Sequence, residues 1–325
     1  MNYSDKMTEY KSIINRQLAD IFPADGPDGL YEPMRYAVNI GGKRIRPILC
    51  RLFYQKHGGP EDRVLYPALA VELLHNFTLV HDDIMDNDDL RRGKDTVHVK
   101  WDISTGVLSG DGIISLAYQI LIKEKFDNYQ KIIKVFTDGL LEVCEGQAYD
   151  KEFESRSDVT IEEYMKMINK KTAALLSVPC EIGALCAGAT EEEQEQAKSY
   201  GRSLGLAFQI QDDVLDIAGD TDLFGKTFGS DIIEGKKTYL SILATENIGG
   251  PDGAFFKSIL GNRSATKNDL LEIKRIYEDH GIIEKAEREA EKYIRQAVSV
   301  VDNSYTKNNG RELLDFTEWM LNRKF

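Results

Sequence analysis

No proline occurs between Pro67 and Pro179, between Pro179 and Pro251, or after Pro251. Proline in a helix interior removes a backbone donor and clashes with the preceding turn, so such tracts are where long helices can run. These tracts are rich in Leu, Ile, Ala, Glu and Lys. Apolar residues recur at three- and four-residue spacing, as in Leu69, Leu73, Phe77 and Val80. Val/Thr alternation bounded by hairpin turns is hard to find. The pattern predicts an all-α chain of about ten or more helices, a single domain over residues 1–325.

Local signals set the expected boundaries. Residues 1–22 read as one amphipathic helix, ended by the turn-rich FPADGPDGL before a second helix near Tyr31. GGKRIRP, Gly41 to Pro47, opens a helix that continues as ILCRLFYQ. The apolar run after Lys171-Thr172 is expected to stop at Pro179, and GDTDLFGKTFGSDIIEGKKTYL to form a long polar loop with enough glycine to fold over a ligand. Beyond Pro251, Glu and Lys alternate at helical spacing, as in solvated scaffold helices.

The formal charge of −13 argues against nucleic acid or an anionic membrane surface as the main partner. An anionic substrate would therefore have to be drawn in by local cations. No stretch approaches the roughly 18 apolar residues that span a membrane, and the first residues lack the apolar core of a signal peptide. Cys50, Cys144, Cys180 and Cys186 are scattered without CxxC spacing and read as small core residues. These features together predict a soluble, cytoplasmic protein.

Two acidic clusters break the apolar helices. HDDIMDNDDLRRG carries Asp82, Asp83 and Asp86 beside Arg91 and Arg92, and QIQDDVLDIAGD repeats the triad at Asp212, Asp213 and Asp216. Residues four apart share a helix face, so Asp82 and Asp86 point the same way. Like charges so close weaken a bare helix, and a chain that keeps them twice is expected to hold cations there. Hard oxygen ligands suit Mg²⁺, which is bound by one or two carboxylates plus phosphate oxygens. A single DDxxD on a surface helix would read as a solvated acidic face. Two copies, each following an apolar stretch, point to helices that share metal ions across a cavity.

Other polar residues fall into the same pattern. Gly41 and Gly42 let a backbone approach a ligand, and Lys43, Arg44 and Arg46 follow at a helix start, a ready anion site. Alone, this reads equally as a capped surface helix. His75 lies seven residues before Asp82, Gly110 sits where helices could pack closely, and Asp111 beside it could order the neighbouring site. Gln147 and Asp150 in EGQAYDKEF need either a cavity or partners within the bundle.

In order, GGKRIRP, HDDIMDNDDLRRG, Gly110-Asp111, GQAYD, Lys171-Thr172, FQIQDDVLD, Gly225-Lys226 and GKKT at 235–238 resemble the trans-type isoprenyl diphosphate synthases, the family that includes farnesyl and geranylgeranyl diphosphate synthases. The resemblance covers nearly the whole chain. It implies antiparallel helices around a deep central cavity, the isoprenoid synthase type I fold, in a homodimer. It further implies that Asp82, Asp86 and Asp212 ligate Mg²⁺, about three ions per site, with Asp83, Asp213 and Asp216 around them. Arg91, Lys171, Lys226 and Lys236 would contact the allylic diphosphate (dimethylallyl, geranyl or farnesyl). Lys43, Arg46, His75 and Arg92 would hold isopentenyl diphosphate, and Thr172 and Gln209 would lie against the reacting carbons. The terminal Arg323-Lys324 resembles a basic tail that closes over the second substrate.

Product length follows from position. The growing tail is expected to run from the aspartates towards the start of their helix, and Phe77 lies about 7.5 Å along the axis from Asp82. An aromatic at that position with the small Thr78 beside it resembles enzymes that stop at geranylgeranyl diphosphate. Alternatives are a farnesyl or longer-chain synthase, or a class I terpene cyclase, which would lack GGKRIRP. His75 with His81-Asp82 could instead suggest an HD-type phosphohydrolase, which leaves the second triad unexplained. A non-catalytic helical partner of a synthase would not need both triads intact.

Overall fold

The computed structural model describes residues 3–60, 63–218, 228–302 and 309–321. Among them are sixteen α-helices, one π-helical turn and one hairpin of two-residue strands, so the chain is all-α as predicted. It divides into two compact units: Met1–Leu140, Leu175–Lys198 and Ser304–Trp319 in the first, Leu141–Ala174, Ser199–Asn303 and Met320–Phe325 in the second.

In the first unit, α1 (Tyr3–Asp20) buries Met7, Tyr10, Ile14 and Leu18, a stripe at helical spacing. Helix α2 (Asp28–Asn39) starts earlier than Tyr31. Pro27 takes the extended N-cap position, with the Asp28 carboxylate next to the positive helix end, so part of FPADGPDGL is a helix start and not a turn. Helix α3 (Ile45–Lys56) begins at GGKRIRP as expected, with Arg44 left-handed at its N-cap, φ 54°. Helix α4 (Leu65–Asp86) is the central apolar helix, ended by left-handed Asn87. Strands β1 (Leu90–Arg91) and β2 (Lys94–Asp95) follow as an antiparallel pair. Arg92 and Gly93 both have positive φ, the geometry of a tight two-residue hairpin.

Helix α5 (Val97–Lys100) leads to α6 (Ile103–Leu121), which Asp102 caps by accepting the Thr105 N–H at 2.8 Å. α6 packs along α4. A Cβ at Gly110 would lie 2.1 Å from His81 Nε2, so the glycine does serve close packing. His81 Nε2 also lies 3.9 Å from Asp111 Oδ1.

Helix α7 (Tyr129–Glu154) gives its start to the first unit and its end to the second. In the second unit, α8 (Ile161–Ile168) opens with a capping box between Thr160 and Glu163 and runs directly into the π turn Asn169–Ala173. Helix α9 (Ala174–Cys186), which from Leu175 on belongs to the first unit, does not stop at Pro179. Its neighbours Val178, Cys180 and Ile182 are buried, and that packing outweighs the lost backbone donor.

Helices α10 (Glu191–Ala218), α11 (Ser230–Glu234), α12 (Tyr239–Asn247), α13 (Gly250–Ile259), α14 (Lys267–Asp279), α15 (Ile282–Asp302) and α16 (Asn309–Leu321) complete the chain. The expected polar loop is thus partly helical, in α11 and the start of α12. Far from being only solvated scaffold, α13 and α14 give Phe256, Ile273 and Tyr277 to the second unit's core, beside Ile210, Leu240 and Tyr164. Of the four free cysteines, Cys50 and Cys180 are buried as expected. Cys144 is exposed, on the solvent side of α7. No helix among the described residues is long and apolar enough to cross a membrane.

Candidate active site

The first aspartate motif occupies the last turn and a half of α4. Asp83 is buried, and Arg91 from the hairpin donates to its Oδ1 through Nε at 2.7 Å and through Nη2; Arg91 Nη2 also reaches Asp88 at 3.1 Å. Burial raises the Asp83 carboxyl although Arg91 opposes the shift. Asp82 and Asp86, four apart, are only half-buried. One member of the triad is therefore fastened to the hairpin, and the other two lie nearer solvent.

Behind this motif the first unit gathers cations. A Cβ at Gly42 would lie 2.7 Å from Arg92 Nη1, so the glycine turn and the hairpin tip meet. Burial pushes the Arg46 guanidinium down to about 10, with Glu72 opposing and Arg92 adding, and it remains a cation at neutral pH. Burial likewise drives the His75 imidazole well below its usual range, with Arg46 and Arg92 the next contributors. Arg46 Nε and His75 Nδ1 are both buried without a protein partner. Arg46, His75 and Arg92 thus come together, and Lys43 is exposed at the turn.

Arg44 belongs elsewhere, which corrects its reading as part of an anion site. It is 3% exposed and donates to Glu72 Oε1 at 2.5 Å, Asn15 Oδ1 at 2.8 Å and the Val38 carbonyl at 2.7 Å. Sequence reasoning passed over Glu72, although a lone carboxylate inside the apolar run ALAVELLHNF signals a buried partner. Phe77 is half-buried with its ring edge-on to His81, centroids 4.7 Å apart, and the buried Thr78 hydroxyl donates to the His75 carbonyl at 2.8 Å.

In the second unit the π turn carries Lys171 and Thr172. Glycines of two helices hold it: a Cβ at Gly146 of α7 would lie 2.3 Å from Lys171 N, and one at Gly205 of α10 would lie 2.4 Å from Ala173 Cα. Arg202 Nη1 donates to the Asn169 carbonyl inside the turn at 2.8 Å. Lys171 pairs with Asp150, so of the two polar residues in GQAYD, Asp150 has a partner within the unit. The Gln147 amide is buried with neither end bonded to protein.

Thr172 donates to Gln209 Oε1 at 2.9 Å, and Gln209 Nε2 donates to Asp213 Oδ1 at 3.0 Å. Asp213 Oδ2 accepts from the Tyr164 hydroxyl at 2.5 Å and from the Tyr239 N–H at the start of α12 at 2.9 Å. Burial pushes the Asp213 carboxyl up to about 6 against these three donors. Asp212, beside it, is exposed. Asp216 accepts from the Ser230 hydroxyl at 2.7 Å and the Asp231 N–H at 3.2 Å, which ties the second motif to α11. Lys236 pairs with Glu234 at 2.7 Å and Asp231 at 3.7 Å. Lys226 and Arg323-Lys324 lie outside the described residues. Tyr164 and Tyr239 carried no sequence signal: they read as ordinary apolar positions of helices.

The chain is similar to known proteins along nearly its whole length. Residues 27–279 match the model of the polyprenyl synthetase family. Geranylgeranyl diphosphate synthase of Methanosarcina mazei is 37% identical over 327 residues, covering 100% of this chain and 99% of the relative. The crystal structure of geranylgeranyl pyrophosphate synthetase from Pyrococcus horikoshii superposes with a TM-score of 0.93 at 36% identity, covering 99% of this chain and 98% of that one. Polyprenyl synthase from Caulobacter crescentus, solved in complex with calcium and isoprenyl diphosphate, gives 0.88 at 28% identity, covering 99% and 98%. The helical architecture is shared with these solved structures, and the chain belongs to the polyprenyl synthetase family.

Proposed function

We propose that the chain is a Mg²⁺-dependent trans-prenyltransferase that condenses isopentenyl diphosphate with dimethylallyl, geranyl or farnesyl diphosphate, and that its main product is geranylgeranyl diphosphate. One observation carries the reading. Both aspartate motifs divide their labour alike: Asp83 and Asp213 are buried and held by protein donors, whereas Asp82, Asp86 and Asp212 lie nearer solvent.

The donor set fits Mg²⁺. Among the described residues no three His, Cys, Asp or Glu side chains form a ready-made cage, and Mg²⁺ takes few carboxylates, filling its shell with water and phosphate oxygens. Asp82, Asp86 and Asp212 would hold about three such ions together with the diphosphate, with Asp83, Asp213 and Asp216 behind them. When bound, the metal supplies Lewis-acid stabilisation of the leaving diphosphate.

The chain's own residues do the rest. As the allylic carbon–oxygen bond breaks, Arg91, Lys171, Lys226 and Lys236 meet the negative charge developing on the diphosphate. Lys43, Arg46, His75 and Arg92 hold isopentenyl diphosphate, whose double bond attacks the allylic cation. A proton then leaves to the departing diphosphate. The Thr172 hydroxyl proton is committed to Gln209, which leaves its lone pairs for the cation. Water must be excluded, or the cation becomes an alcohol. Phe77 limits the tail, with Thr78 leaving space beside it.

The two units act as one catalytic domain in this reading. The chain works as a homodimer in the cytoplasm, where its thiols stay reduced. Ile103, Val107 and Leu108, at 61%, 43% and 53% exposure on α6, support pairing of copies. The test is product chromatography with labelled isopentenyl diphosphate and each of three primers, with and without a chelator. Consumption of the allylic substrate alone, or turnover indifferent to chelation, rejects the proposal.

A further inference from the structure

We propose that Tyr164 is a positioning residue: through Asp213 it sets the Gln209 amide, and through Gln209 the direction of the Thr172 hydroxyl. The inference rests on the prenyl-transfer reading and adds a residue that touches no substrate in it.

A glutamine amide is nearly symmetric in shape but not in charge. Turned by half a rotation about its last bond, Gln209 would offer NH₂ where it now offers Oε1. Thr172 would then have to accept, and its own proton would point towards the reacting carbons. A hydroxyl proton repels a cation and a lone pair attracts one, so the rotation matters to the step that makes the cation. Asp213 settles it. Its Oδ1, 3.0 Å from Gln209 Nε2, accepts and cannot donate when ionised, so the amide keeps NH₂ towards Asp213 and Oε1 towards Thr172, 2.9 Å away.

Asp213 itself must hold one rotamer for this. Two donors clamp its other oxygen: the Tyr164 hydroxyl at 2.5 Å and the Tyr239 N–H at 2.9 Å. Of these only Tyr164 is a side chain. It is 2% exposed, stands in the first turn of α8 directly after the Thr160–Glu163 capping box, and packs edge-on against Tyr239 with ring centroids 6.0 Å apart. The ring can therefore hardly move, and its hydroxyl bonds the carboxylate and not solvent.

The test is a double-mutant cycle on the full chain with Mg²⁺ and both substrates. Tyr164→Phe keeps the packed ring and removes the clamp. It is expected to lower kcat about tenfold or more, with KM for isopentenyl diphosphate within about twofold, and to raise the share of allylic cation captured by water. In a Gln209→Ala background the same change is expected to cost less than about twofold in kcat, because the group it acts through is gone. An equal loss in both backgrounds, or none in the wild-type background, overturns the proposal. If Tyr164→Phe does not fold, Asp213→Asn with and without Gln209→Ala cuts the same chain one link nearer and decides by the same pattern. A wild-type chain with no prenyl transfer would instead sink the underlying activity and is recognised before any variant is made.

Discussion

Replacing Glu72 with Leu should cost far more stability than its single ion pair suggests, and replacing its partner as well should cost little extra. Glu72 and Arg44 are each 3% exposed and 2.5 Å apart. Glu72→Leu leaves the Arg44 guanidinium with neutral acceptors only, Asn15 Oδ1 and the Val38 carbonyl, and strands a cation in the core. Breaking a buried pair in this way costs about 3–5 kcal/mol, against a total of roughly 5–15 kcal/mol for a folded domain. Arg44→Met strands the carboxylate instead, at a similar cost of about 3–5 kcal/mol.

Were the two sites independent, the double variant would lose about 6–10 kcal/mol. It is expected to lose no more than either single variant, because the Arg44–Glu72 pair is removed whole, although the Asn15 and Val38 acceptors lose a donor and Arg46 loses the Glu72 charge near it. The coupling should therefore be about 3 kcal/mol or more, read from urea melts of the four proteins at one pH. Additivity within about 0.5 kcal/mol would refute the reasoning. The same substitutions should raise KM for isopentenyl diphosphate, since Arg44 is itself the left-handed residue between Lys43 and Arg46 and its buried side chain anchors that turn.

His75 should make the fold sensitive to acid. Its folded-state pKa lies well below the unfolded value because of burial, so below pH ~6.5 the unfolded chain takes up a proton that the native chain refuses. Its contribution is therefore present above that pH and lost below it, and between pH 7.5 and 5.5 the wild type should lose more stability than His75→Gln. Equal losses in urea melts would show that the imidazole protonates in the native state. Gly146→Ala should shift the π turn, since the new methyl meets the Lys171 backbone at 2.3 Å; a loss of about 1–3 kcal/mol with a fall in kcat is expected, and wild-type melting and turnover would contradict it. Phe77→Ser should lengthen the product, and an unchanged chromatogram would remove Phe77 as the stop.

The sequence carried the helical class, both acidic motifs and the cation cluster, because these write themselves as periodicity, proline spacing and repeated charge. What escaped it lies in contacts between residues far apart in the chain. Nothing in the motif distinguishes Arg44 from Lys43 or Arg46, and it is Glu72, Asn15 and the Val38 carbonyl that make it a core residue. Tyr164 and Asp213 are 49 positions apart. Pro179 misled for the opposite reason: the local rule was sound, but a buried environment overrode it.

The π turn beside Thr172 holds one residue more than an α-helical turn would, closed by the Ala174 N–H on the Asn169 carbonyl. Deleting a residue such as Lys170 would let the chain relax into regular α-helix, locally the more favourable winding. Residues on one side of the deletion would then swing by about 100° relative to those on the other, taking Thr172 off the face that meets Gln209. The segment is thus one where length is constrained more tightly than composition: a surface change at Lys170 should be tolerated, but a missing residue should leave a well-folded, inactive protein.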